Sequence, residues 1–452
     1  MIFFKISSVL KINKDVTVIK LTQSINLVSE KITNALFIES HKTSAKDFTR
    51  KRTLSFQVIF MQILRKTVKS LQVSLNELFM SNHIASVVTS SAYTQARKKF
   101  KHTAFIELND DIVNIFYSDD SGIKKWRNYR CLGVDASKVI LPLTPDIEAE
   151  YGSIAIKNQS MTGCFSQGMF ECYYDVLNHM AVKCALAHGL SYEVSLAIEM
   201  LDVATRQDLL IYDRGYASYE FFATLTQQQK NFLIRCPVNS FKAAQTLAKD
   251  PEKWSCVATL TPCNNQQKNI KEKKLASEIQ VRFIKVILST GEIEILATSL
   301  IDPTITCEEF KWLYGMRWGV ETYFSRVKGR LCLENFTGKT VESIKQDFWS
   351  TIFISNFETI ATENVHDELN KRKINAQHEK KVNTAVSFNA IKNMAFDIFN
   401  NNTNQDESIQ KMILLFKSNP ILQRPERESP PRQKTSDHRS YNFLRRVKKM
   451  IF

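Results

Sequence analysis

From Leu313 to Leu331 the chain reads LYGMRWGVETYFSRVKGRL, and its polar and apolar positions separate at the helical period. With each residue rotated about 100° from the last, Tyr314, Arg317, Glu321 and Lys328 fall within an arc of roughly 60°. Met316, Val320, Tyr323, Val327 and Leu331 gather on the other side. The spacing predicts one amphipathic helix with an apolar back. Its stripe combines phenol, guanidinium, carboxylate and ammonium, flanked by Trp318 and Phe324. A solvated face is the ordinary reading of such a stripe, but the flanking aromatics fit the wall of a cleft. Arg and Lys around one Glu suit a site that handles phosphates and a metal, provided other acidic ligands exist elsewhere.

Along the rest of the chain the patterning changes several times. Residues 1–45 alternate apolar and polar positions without clear caps and read as an N-terminal extension. Residues 46–125 carry apolar positions at helical spacing with basic residues between them. Thr89, Ser90 and Ser91 stand where a helix N-cap belongs, ahead of Tyr93, Gln95, Arg97, Lys98 and Lys99. Short helices ending in a basic, Gln-bearing member fit a helical DNA-binding region; a basic solvated helix in an ordinary bundle fits equally.

Residues 126–230 mix strands and helices. CLGVDASKVILP opens with an apolar run ending at Asp135, and GMFECYYDVLNHMAV is strand-like and holds Asp175. YEVSLAIEML reads as a helix. Residues 209–212 form a short apolar strand ending at Asp213, with a turn at Gly215, and NFLIRCP is another strand. This is an α/β pattern. Residues 231–300 form a β-rich insertion whose last two runs meet at Ser289-Thr290-Gly291-Glu292, a hairpin signal. Residues 301–400 return to helices. Residues 401–452 are expected to be a basic tail, rich in Pro, Arg and Lys from Arg424 onward.

Composition narrows the partners. The formal net charge is +15 over 452 residues, with 44% hydrophobic and 24% charged residues. That is a folded chain with a polyanionic partner, nucleic acid first. No apolar run approaches the ~20 residues that span a bilayer, and MIFFKISSVLKINKD lacks the features of a signal peptide. The nine cysteines form no C-x-x-C pair, so free thiols in a reducing cytosol are expected. The chain contains no G-x-x-x-x-G-K-[ST] loop, so an ATP-driven engine is not indicated.

A hard divalent ion takes carboxylate oxygens. Two such ions about 4 Å apart can assist phosphodiester cleavage. Asp135 and Asp213 each end a short, buried-looking run, and neighbouring strands in one sheet would bring them together beneath Glu321. A turn or cap is the competing role for any strand-end Asp. Asp175 is read that way, as are Asp110, Asp111, Asp119 and Asp120 in polar stretches.

Tyr314-x₂-Arg317-x₃-Glu321-x₆-Lys328 resembles the Y-x₂-R-x₃-E-x₆-K signature of IS4-type insertion-sequence transposases. LYGMRW at 313–318, LENFTGK at 333–339 and DRGY at 213–216 are similar to further family motifs. Gly133-Val134-Asp135-Ala136-Ser137 with Leu141-Pro142 resembles the first-Asp motif, with Ala136 in place of the usual glycine. Residues 88–99 resemble an upstream family segment, and the likeness runs from about Phe48 into the basic tail.

The resemblance implies an RNase H-like mixed-sheet core with a β-rich insertion before the Glu helix. It implies an acidic triad, Asp135, Asp213 and Glu321, holding two Mg²⁺ or Mn²⁺ ions. It also implies double-stranded DNA partners, namely terminal inverted repeats and target DNA, and a homodimer on that DNA. The setting would be the bacterial cytoplasm, at the nucleoid. Tyr314, Arg317 and Lys328 would then contact the cleaved strand, and Arg97, Lys98 and Lys99 the repeats. A nuclease without strand transfer, or a transposase-derived DNA-binding protein without chemistry, would share these motifs. A glycosidase carboxylate pair fits the basic charge poorly.

Overall fold

The computed structural model describes residues 14–67, 69–80, 87–120, 122–158, 161–288, 290–371, 378–400 and 405–423. In chain order the elements used below begin with helices α1 (Lys14–Lys31), α2 (Phe56–Arg65), α3 (Ser90–Arg97) and α4 (Thr103–Tyr117). Strands β1 (Arg130–Leu141), β2 (Ser153–Asn158), β3 (Met161–Asp175), β4 (Met180–His188), β5 (Asp208–Tyr212) and β6 (Asn231–Cys236) follow. After them come β7 (Ser255–Leu260), β8 (Ile279–Ile287) and β9 (Ile293–Thr298). Helices α5 (Cys307–Met316), α6 (Trp318–Gly329), α7 (Val341–Lys371), α8 (Thr384–Phe399) and α9 (Gln405–Ser418) complete the set. The chain divides into two compact units. One comprises residues 1–123, 139–168 and 325–452, the other residues 124–138 and 169–324.

The sheet unit carries strands in the order β4-β3-β1-β5-β6-β9-β8-β7. β1, β5 and β6 run parallel, and their order beside β3 and β4 is that of an RNase H-like core. Every residue of β5, DLLIY, is buried, as expected of a central parallel strand covered on both faces. β8 and β9 pair antiparallel as the hairpin signal predicts, although Ser289 at its turn lies outside the described residues. The insertion is no separate body. β9 pairs antiparallel with β6 along residues 233–236, so β9, β8 and β7 continue the central sheet.

The helical unit is built around α7, which is buried on every side from residue 350 to 362. α1 packs against α7 and α4. Its Leu21, Ile25 and Val28, with Ile32 just beyond its end, form a buried stripe at helical spacing. Within residues 14–45, this stripe contributes to the core of the helical unit. Residues 405–418 form a helix packed on α8 rather than a tail. The Pro- and Arg-rich stretch from Arg424 lies outside the described residues.

Three local expectations need correction. The helix predicted across 313–331 is two helices, α5 and α6, meeting at Arg317. Arg317 keeps helical dihedrals (φ −51°, ψ −35°), but its N–H bonds back to Tyr314 O at 3.1 Å, a tightened turn. Asp135 does not end its strand, since β1 continues to Leu141. Asp110 and Asp111 lie on α4 rather than in a loop.

Candidate active site

Strand register brings the first two acids together. β1 and β5 pair in parallel from Arg130↔Asp208 to Gly133↔Ile211. Two residues further along both strands stand Asp135 and Asp213, on neighbouring strands spaced by about 4.8 Å. β5 ends at Tyr212, so Asp213 opens the turn beyond it. Its carboxylate accepts the Gly215 N–H at 2.7 Å, capping the short Arg214–Tyr216 turn. A Cβ at Gly215 would stand 3.0 Å from that carboxylate oxygen, so glycine leaves the acid its place.

Glu321 reaches the pair because α6 lies close to β1. A Cβ on Gly133 would meet Val176 Cγ1 at 3.0 Å, and one on Gly319 would meet it at 3.2 Å. Each glycine stands two residues before an acid, Asp135 or Glu321. Val176 fills the space that the two missing side chains leave. Arg317 then ties the acids, with one guanidinium nitrogen 3.3 Å from Asp135 Oδ2 and another 2.5 Å from Glu321 Oε1. Its guanidinium also lies over the Tyr314 ring, 5.9 Å from the centroid.

Burial dominates the electrostatics of Asp135. Burial pushes the Asp135 carboxyl up to about 6, against the pull of Arg317 and with the push of Asp213 and Glu321. Two further acids stand nearby. Glu171 on β3 is fully buried, and burial, with Glu193 and Asp135 adding to it, pushes its carboxyl up to about 8. Its Oε1 accepts the Tyr216 hydroxyl at 3.3 Å, while its Oε2 has no hydrogen-bond partner among the described residues. Glu193 is raised by burial and by Asp213. Neither Glu171 nor Glu193 is among the candidate residues above. The available signal was a lone Glu inside the otherwise apolar run MFECYY. Asp175, by contrast, is a turn holder. It accepts from the N–H groups of Leu177 and Asn178, both at 3.0 Å.

The donor set suits a hard cation, because all three candidate ligands are carboxylates. Among the described residues no three Asp, Glu, His or Cys side chains stand close enough together to hold a metal ion, so the three acids would have to draw together around one. The Arg317 guanidinium supplies positive charge between Asp135 and Glu321. Tyr314 is half-buried at the end of α5, and Lys328 lies seven residues beyond Glu321 on α6. Arg97 is not available to DNA. It is buried and bonded to Gln346, Thr337, Ser343 O and Asp347, the last at 2.8 Å. Lys98 is exposed, and Lys99 is half-buried and paired with Asp47 at 3.4 Å.

Residues 162–357 match the family described as "Transposase DDE domain". No curated protein matches the chain. Among solved structures, the chain is similar to a piggyBac transposase synaptic complex with hairpin DNA, determined by cryo-EM. The TM-score is 0.46 and the identity 9%, over 90% of this chain and 87% of that one. The stretch of this chain that matches the transposase DDE domain family therefore begins after Asp135 and contains Asp213, Tyr314, Arg317, Glu321 and Lys328.

Proposed function

We propose that the protein is an IS4-type DNA transposase that cuts the ends of a mobile element and joins their 3′-OH groups to target DNA. The observation that carries this reading is that Arg317 bridges Asp135 and Glu321, while strand register sets Asp213, just past the end of the neighbouring parallel strand, beside Asp135. The family match over residues 162–357 supports it.

In this reading Asp135, Asp213 and Glu321 hold two Mg²⁺ or Mn²⁺ ions, which supply water activation and charge neutralisation when bound. In the first step water adds to phosphorus at the element boundary, and the bond to the 3′ oxygen breaks to leave a 3′-OH and a 5′-phosphate. In the second the 3′-OH adds to a target phosphate and displaces another alkoxide. One ester bond forms as one breaks, so no ATP is consumed. The protein's own contribution is positioning and charge. Arg317 offers a planar fork to a phosphate once a carboxylate releases it, Lys328 a point charge, and Tyr314 a hydroxyl donor. Terminal repeats and target would be duplex DNA, bound by a homodimer. Lys98 and Lys99 remain candidates for phosphate contacts.

The test is Glu321→Gln. It should abolish Mg²⁺-dependent cleavage of element-end DNA by at least about 1,000-fold while leaving DNA binding intact. Robust cutting by that variant rejects the assignment. A pre-cut 3′-OH end that the wild-type chain never joins to target DNA makes the protein a nuclease instead.

A further inference from the structure

A groove of about 750 Å³ opens in the helical unit between residues 45–54 and helix α3. Its lining includes the small residues Ala45, Ala92 and Ala96 together with the basic Lys46, Arg50, Arg52 and Lys99, and Gln95 on the helix side. Lys46, Arg50 and Arg52 are exposed, and among the described residues no carboxylate pairs with them. Other cations of this unit behave differently. Lys31, Lys42, Arg65 and Lys345 each hold an acid.

The basic rim is presented by an ordered frame. Thr43 N donates to Lys99 O at 2.9 Å, and Lys42 Nζ donates to Ala45 O at 2.9 Å. The Phe48 ring packs edge-on against Phe56 at 5.3 Å. Tyr93 and Arg97 anchor α3 from beneath, and Thr89 and Gln72 hold its first turn. With the backbone frame already fixed, only the side chains lose freedom when these cations meet phosphates. The three alanines put little side-chain bulk in the way of a sugar-phosphate backbone.

We propose that this groove seats duplex DNA, with Lys46, Arg50 and Arg52 on backbone phosphates and Gln95 reaching base edges. Arg forks suit phosphate oxygens, and Gln pairs with adenine in the major groove. The inference rests on DNA being the substrate, and it places the contact on these residues rather than on Arg97.

The experiment is fluorescence anisotropy of the full chain with a mixed-sequence DNA duplex across a KCl series. The K46A/R50A/R52A variant should lower the slope of log affinity against log salt by about 2 to 3. Its affinity at physiological salt should fall by at least about tenfold. Its melting temperature should stay at the wild-type value, because all three side chains are exposed. An unchanged slope overturns the proposal. So does an equal drop in K249A/K268A/K271A, which neutralises three lysines of the other unit, and so does a preference for duplex RNA. Gln95→Ala should keep the slope but broaden the sequences selected from a randomised duplex pool, and an unaltered pool removes the base-reading role. Groove-dependent binding without any Mg²⁺-dependent cutting would sink the transposase reading and leave the groove standing.

Discussion

Asp135 carries the clearest electrostatic burden of any single residue in the site. It is mostly buried, the charges of Asp213 and Glu321 press on it, and the Arg317 guanidinium pulls the other way. A carboxylate in that position costs stability that the fold must find elsewhere, which is common where residues are arranged for chemistry. Asp135→Asn should therefore stabilise the metal-free chain at neutral pH by about 1–2 kcal/mol while abolishing cleavage. Thermal melts in EDTA check the first half, and a destabilised variant would contradict it. Glu171 poses the opposite case. Burial already holds its carboxyl protonated at neutral pH, so Glu171→Gln should change stability by less than about 0.5 kcal/mol. Tyr216→Phe removes the one hydrogen bond that Oε1 receives and should cost about 1–3 kcal/mol. Urea titrations of the two variants decide, and equal losses would refute the contrast. The places of Asp213 and Glu321 in the fold, at a turn after a buried strand and on a helix, were legible in the sequence because turn chemistry and helical spacing mark them. Arg97 was misread for a reason of phase. It follows Tyr93 by four residues, so the face that buries the tyrosine buries the arginine too, while Lys98 one step on is turned outward.

Among the elements, the approach of α6 to β1 decides where Glu321 stands. That approach depends on Gly133 and Gly319 sharing Val176. Gly319→Ala should gain helix propensity, by about 1 kcal/mol, yet force its new methyl against Val176. The helix would shift outward, and a displacement of about 1 Å near reacting groups can cost 100-fold in rate. The expected outcome is a variant that melts near the wild-type temperature and cleaves at least about tenfold more slowly. Adding Val176→Ala should recover most of the rate, and additive losses in that double-mutant cycle would show that the pair is not the contact that matters. The β-rich insertion shows what patterning leaves out. Alternation correctly gave β8 and β9 as a hairpin, but a strand's period says nothing about which edge it joins. Only the pairing of β9 with β6 makes the insertion an arm of the central sheet. The break between α5 and α6 was equally hidden, since Arg317 keeps helical dihedrals and the apolar stripe barely changes phase.

At the scale of the molecule, the helical unit joins chain ends that the sequence reading kept apart. Arg97 meets Asp347 across 250 residues, Lys66 donates to Leu333 O at 3.0 Å, and Asn356 donates to Asn109 at 2.8 Å. Phe60 and Phe105 both pack on Phe353. Linear boundaries drawn from composition could not register this, because a helix shows its own apolar face and not the partner that covers it. The Arg97–Asp347 pair is fully enclosed, so Arg97→Ala leaves a buried carboxylate uncompensated and should cost about 3–5 kcal/mol. Lys98→Ala, one residue away and exposed, should be neutral within about 0.5 kcal/mol. The same long-range wiring predicts how fragments behave. Residues 1–123 include α1 to α4, but the surfaces that bury Ile25, Phe60 and Phe105 come largely from α7 and α8. Expressed alone, that fragment should lack a cooperative melt and exchange its amide protons as an unfolded chain does. Adding residues 325–423 in trans should restore protection to α1 and α4. A sharp transition by 1–123 alone would mean that the amino-terminal helices carry a core of their own, and that the DNA groove can be studied apart from the rest of the chain.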